Sequence, residues 1–153
     1  QAQPSDNYFQ AVAYQHFPPD VDATTAVEGA GRMLDELFVS TAICVPAAGA
    51  SLPAGPTTVS GYAVGQGGRP IQGVEVSADG GRTWMEATLH GGQQPWAWQL
   101  WSTTVRLAAG PQTLVARAID CDGHVQPADV DATWNYKGYM NNAWHRVEVL
   151  GQA

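Results

Sequence analysis

Hydrophobic positions along this chain fall into two regimes. Up to about residue 37 they keep no period. "HFPPDVD" reads as extended, because consecutive prolines forbid helix and bias the preceding residue toward extended geometry. "TTAVEGAGRMLDEL" has room for a short helical turn at most. From Phe38 onward, short apolar runs alternate with turn signals. "FVSTAICVP" ends at a proline, "TTVSGYAVG" ends at "GQGG", and "IQGVEVSAD" sets Val74 and Val76 on one face. Asp79-Gly80-Gly81 offers the positive-φ positions of a hairpin turn. "WAWQLWSTTVRL" sets Trp96, Trp98 and Leu100 on one face, and "WHRVEVL" is a last alternating strand. About seven short strands between turns predict an all-β chain, an immunoglobulin-like antiparallel β-sandwich. The expected division is an irregular N-terminal arm over 1–37 and the sandwich over 38–153. The Cys-Trp-Cys pattern of antibody domains is absent.

Composition fits this picture. The 153 residues are 44% hydrophobic and 14% charged, as in a globular chain with a sizeable core. Seventeen glycines and ten prolines suit strands and turns rather than helices. A net charge of -7 argues against nucleic acid, whose phosphates need clustered cations. No apolar run approaches the ~18 residues that span a bilayer, so no membrane partner is expected. No signal peptide is visible. The chain opens on "QAQPSDNYFQ" rather than Met, which reads as a processed product or the C-terminal piece of something longer.

Candidate chemistry is sparse. No nucleophile elbow, zinc-protease motif or phosphate loop opening a helix is present. His16, His90, His124 and His145 lack metal-ligand spacing and read as surface or hydrogen-bonded residues. "GQGGRPI" lies between two strands and reads as a wide hairpin turn. Asp120, Asp122, Asp129 and Asp131 lack the alternation and glycine of a calcium loop, and read as a solvated strand end and loop. Trp84, Trp96, Trp98, Trp101, Trp134 and Trp144 read as core or interface anchors. Cys44 and Cys121 permit one disulfide, with two buried free thiols the favoured expectation. Lys137 is the single lysine beside six arginines; Gly138 allows a sharp turn there, and Asn135, Asn141 and Asn142 offer hydrogen bonds.

Four stretches together carry a resemblance. "SGYAVGQGGRPIQGVEVSADGGRTWMEATL", "WAWQLW", "RAID" followed by "GHVQP", and "WNYKGYMNNAWHRVEV" resemble the C-terminal, dimerisation domain of the sulfite oxidase family of molybdenum enzymes. "NYFQAVAYQHFPPDVD" resembles the segment leading out of that family's molybdenum domain. The resemblance implies an immunoglobulin-like sandwich, and enzymes that oxidise sulfite to sulfate at a mononuclear molybdenum carried by a pterin. It assigns Tyr14 as catalytic, with its hydroxyl toward the metal and the substrate oxyanion. It assigns Lys137 to substrate binding, at a position where typical sulfite oxidases have Arg and eukaryotic nitrate reductases an apolar residue.

A cation at 137 therefore favours sulfite over nitrate. Lys is a point charge where Arg offers a two-pronged fork. The molybdenum ligand and most pterin contacts belong to an upstream domain that this chain lacks, so the chain by itself is expected to hold no molybdenum-molybdopterin and to catalyse nothing. The implied partners are a second copy of the chain in a homodimer, the upstream molybdenum domain, sulfite, and a haem or external electron acceptor. A nitrate reductase or other oxyanion enzyme, and a non-catalytic interaction module, remain alternatives. High Ala and Gly content and preference for Arg point to a GC-rich bacterial genome and a periplasmic setting.

Overall fold

The computed structural model describes residue 3 and residues 5–153. A wide helical turn at Phe9–Ala13 leads into β1 (Gln15–His16), which pairs antiparallel with β2 (Arg32–Met33). The sandwich follows: β3 (Ser40–Val45), β4 (Ser51–Pro53), β5 (Gly55–Val64), β6 (Ile71–Ser77), β7 (Met85–Glu86), β8 (Thr88–His90), β9 (Gln99–Leu107), β10 (Gly110–Asp120) and β11 (His145–Gln152). One sheet has the order β3-β5-β9-β8 and the other β4-β11-β10-β6-β7. All pairings are antiparallel except β4 with β11, which run parallel. The chain is thus an all-β, immunoglobulin-like sandwich with a small arm sheet.

The core lies between the two sheets and draws on alternate residues of each strand. Val74 and Val76 of β6, Val105 and Leu107 of β9, and Val147 and Val149 of β11 are all buried there. Trp101 is its largest member, at 1% exposure. Its ring lies over Gly61, the cross-strand neighbour in β5, where an added Cβ would stand 2.6 Å from the indole and 1.9 Å from the Ala42 carbonyl oxygen. The indole Nε1 donates to Thr41 Oγ1 (2.9 Å), which donates to the Tyr62 carbonyl (2.6 Å), so the buried polar atom is satisfied.

Three expectations are corrected. "GQGG" is not a hairpin turn: it carries the chain from β5 in one sheet to β6 in the other. The thiols are free but exposed rather than buried; Cys44 sits at a register break between β3 and β5, and Cys121 just beyond β10. Asp120 is not a solvated strand end. Its side chain is fully buried and accepts from the amides of Gln66 (3.3 Å), Asp122 (3.0 Å) and His124 (3.0 Å), and from His124 Nδ1 (2.9 Å). Burial opposes ionisation of Asp120, but the bonds from His124 and the Asp122 amide outweigh it and hold the carboxyl below its ordinary value.

A histidine joins the two sheets at one end. The Ile43 amide of β3 donates to Nδ1 of His145, the first residue of β11 (3.1 Å), so the ring must be neutral at that nitrogen. Burial lowers the His145 pKa below its model-compound 6.5. Between the folded value and 6.5 the unfolded chain then holds more protons, so this contribution is complete above 6.5 and is lost as pH falls through that window. Denaturant midpoints should therefore drop from about pH 7 to about pH 5. His145→Leu should shrink that drop and leave the part due to His16, whose pKa burial and Arg32 also lower.

Candidate functional site at the junction of arm and sandwich

The connection from β10 to β11, residues 121–144, is long and irregular, yet it is fixed at many points. The buried Gln126 accepts from the Ala118 amide (2.9 Å) and donates to the Asn142 carbonyl (3.0 Å). Trp144 Nε1 donates to the Gln126 carbonyl (2.9 Å), and Asn142 Nδ2 to the Val39 carbonyl (3.0 Å). Within this frame Asn135–Gly138 forms a tight turn. The Gly138 amide donates to the Asn135 carbonyl (2.7 Å), and Gly138 has φ +77°, a conformation that an L side chain strains.

Asn135, 2% exposed, joins this turn to the arm. Its Oδ1 accepts from the Lys137 amide (3.0 Å) and its Nδ2 donates to the Gln15 carbonyl (3.5 Å), 120 residues away in sequence. Gln15 is buried in turn, donating to the Ala11 carbonyl (2.7 Å) and accepting from the Gly31 amide (3.1 Å). Phe17, 4% exposed, packs its ring 5.3 Å from that of Tyr136. A second tether lies on the surface, where Arg69 pairs with Glu36 of the arm (3.0 Å) and with Asp122.

The two residues singled out in the sequence meet at this junction. Lys137 Nζ donates to the carbonyls of Ala13 (2.9 Å) and Val12 (3.4 Å), so its charge sits against the residue preceding Tyr14. Tyr14 is half exposed, its ring 5.5 Å from Tyr139 and 6.0 Å from Phe9, with Tyr8 a further 5.8 Å from Phe9. The result is an outward aromatic strip with one cation beside it. Phe17, Tyr136 and Tyr139 had no role in the sequence reading. The tyrosines flanking Lys137 are visible there, but their arm partners are not.

A separate apolar surface covers the outside of the four-stranded sheet. Trp96, Trp98 and Leu100 are 73%, 70% and 58% exposed, with Trp98 edge-on to Tyr62 at 4.8 Å. Trp96 has φ 61° and its ring lies against Gly68. Among the described residues, no three His, Cys, Asp or Glu side chains gather into a metal-holding group, and no helix is long and apolar enough to cross a membrane.

The Mo-co oxidoreductase dimerisation domain family matches residues 31–152. The chain belongs to that family. Chicken (Gallus gallus) sulfite oxidase is 42% identical over 147 residues, covering 93% of this chain and 32% of that protein. Nitrate reductase [NADH] 2 of Nicotiana tabacum is 32% identical over 166 residues, covering 96% of this chain and 18% of that protein. Among solved structures, the sulfane dehydrogenase SoxCD of Paracoccus pantotrophus matches with a TM-score of 0.76 at 24% identity, covering 95% of this chain and 37% of that one, a likeness of fold. The chain thus spans between 18% and 37% of the length of these relatives.

Asn135→Ala would leave the Gln15 carbonyl and the Lys137 amide without partners, at a cost of about 1–3 kcal/mol. The arm should then detach before the sandwich unfolds. Hydrogen exchange should quicken at residues 10–17 while β6 and β10 stay protected, whereas uniform quickening would contradict a junction role.

Proposed function

We propose that this chain is the C-terminal part of a sulfite-oxidising molybdenum enzyme. In it the junction supplies one wall of the substrate's oxyanion pocket, and the sandwich contributes a homodimer contact. The observation that carries the reading is the placement of the Lys137 ammonium, 2.9 Å from the carbonyl of Ala13 and next to Tyr14. Likeness to sulfite oxidases over nearly the whole chain supports it. The molybdenum-molybdopterin group would be bound by an upstream domain and would supply the two-electron oxidation, with a haem or external acceptor taking the electrons. The residues here bind and orient.

Lys137 faces an anion with one strongly hydrated positive charge. Tyr14 offers a hydroxyl that donates to the anion or accepts from a neighbour. A preorganised cation in a partly desolvated wall stabilises charge far better than one in water. The exposed Trp96, Trp98 and Leu100 offer apolar surface of the kind that association covers. The likeness to a nitrate reductase keeps a second reading open, in which the substrate is nitrate. A cation opposite the anion favours sulfite, the more highly charged of the two.

In the full-length protein, Lys137→Met should raise the sulfite KM about tenfold or more, the loss of a charged hydrogen bond. Tyr14→Phe should lower kcat. An unchanged KM in the first variant, or faster turnover of nitrate than of sulfite, would overturn the proposal.

A further inference from the structure

Four groups from both sides of the junction surround the end of Lys137. Besides the carbonyls of Ala13 and Val12, the Phe17 ring centroid lies 5.7 Å from Nζ and that of Tyr136 lies 5.9 Å away. The two rings meet at 58° with centroids 5.3 Å apart, so their faces form a wedge rather than a parallel clamp. Phe17 comes from the arm and Tyr136 from the turn.

We propose that Phe17 and Tyr136 form a two-walled aromatic box that selects a primary ammonium at position 137 and so positions the pocket's positive charge. This rests on the reading of Lys137 as the substrate's cation. A cation within about 6 Å of a ring is attracted by the negative face of the π system. An ammonium is compact and carries three donors on one atom. Two of these are used on adjacent carbonyls of the arm, and one remains for an oxyanion. A guanidinium is broad and planar, with donors fixed in a fork. Its five donors lie in one plane, so bonds to the two carbonyls would fix the direction of the rest, whereas an ammonium can rotate its third donor toward a ligand. The box accounts for lysine at this one position in a chain that otherwise uses arginine. It also makes Phe17 and Tyr136 positioning residues, acting through Lys137 rather than on the substrate.

The test uses sulfate as the probe, titrated calorimetrically onto the full-length protein and its variants, with the sulfite KM and kcat measured alongside. Tyr136→Leu should weaken sulfate binding and raise the KM about two- to fivefold with kcat nearly unchanged, the loss of one ring face. Tyr136→Phe, which keeps the ring, should bind as the unaltered protein does. Lys137→Arg should bind more weakly, despite its richer donor set. Phe17 is buried, so Phe17→Leu is judged only if its Tm shows that it remains folded. Wild-type binding by Tyr136→Leu together with weakened binding by Lys137→Met would overturn the box and leave the substrate role of Lys137 standing. Wild-type binding by both, or no sulfate binding by the unaltered protein, would overturn that role and the box with it. Equal weakening in Tyr136→Phe and Tyr136→Leu would assign the effect to the hydroxyl and overturn the aromatic account.

Discussion

Asn135 places a buried amide between the Lys137 turn and the arm, two segments that also meet through Lys137 Nζ and the Phe17–Tyr136 ring pair. Its oxygen takes the backbone N–H of Lys137 and its nitrogen reaches the carbonyl of Gln15. A buried amide left without a partner costs about 1–3 kcal/mol, so the site favours having both segments in place. The arm residue Gln15 and the Lys137 turn are thereby linked through one buried side chain. Without it the arm and the turn would keep only the Lys137 ammonium on the Ala13 and Val12 carbonyls, the packing of Phe17 on Tyr136 and of Tyr14 on Tyr139, and the surface pairs of Arg69. The Arg69–Glu36 pair is only partly buried, and ion pairs near the surface contribute little.

The sandwich serves as a rigid base for this junction. The connection between β10 and β11 has no strands of its own, and long loops of this kind are ordinarily mobile. Here Gln126, Asn142 and Trp144 tie it to the body of the sheet pair, and Asp120 closes its first turn from inside. The polar groups that fix the loop satisfy one another. Among the described residues, no buried side-chain nitrogen or oxygen lacks a partner. In the proposed role, a charge held by such a frame would need little reorganisation on meeting an anion, which is the condition for strong electrostatic stabilisation.

What the sequence could reveal followed the range of each interaction. Alternation in β6 identified the core face through Val74 and Val76, because the strand's own period carries that information. The same period grouped Trp96, Trp98 and Leu100, but not which face is core. That was decided by Trp101, one residue out of phase, because Gly61 across the ladder leaves space for its ring and Thr41 satisfies its indole. The glycines of "GQGG" marked a turn, yet flanking strands alternate in the same way whether they pair or cross between sheets. Asp120 looked like surface because its partners, the amides around it, leave no trace in residue type. In the site, Lys137, Gly138 and Asn135 stood out locally and Tyr14 through family resemblance. Gln15 and Phe17 could not be linked to them, since those contacts span most of the chain.

The most direct test of the central claim is a crystal structure of the full-length protein grown with sulfate. The account predicts an anion within hydrogen-bond distance of Lys137 Nζ and the Tyr14 hydroxyl, with Nζ still held by the carbonyls of Val12 and Ala13. An anion bound elsewhere, with Lys137 turned away from it, would contradict the assignment of this junction as the wall of an oxyanion pocket.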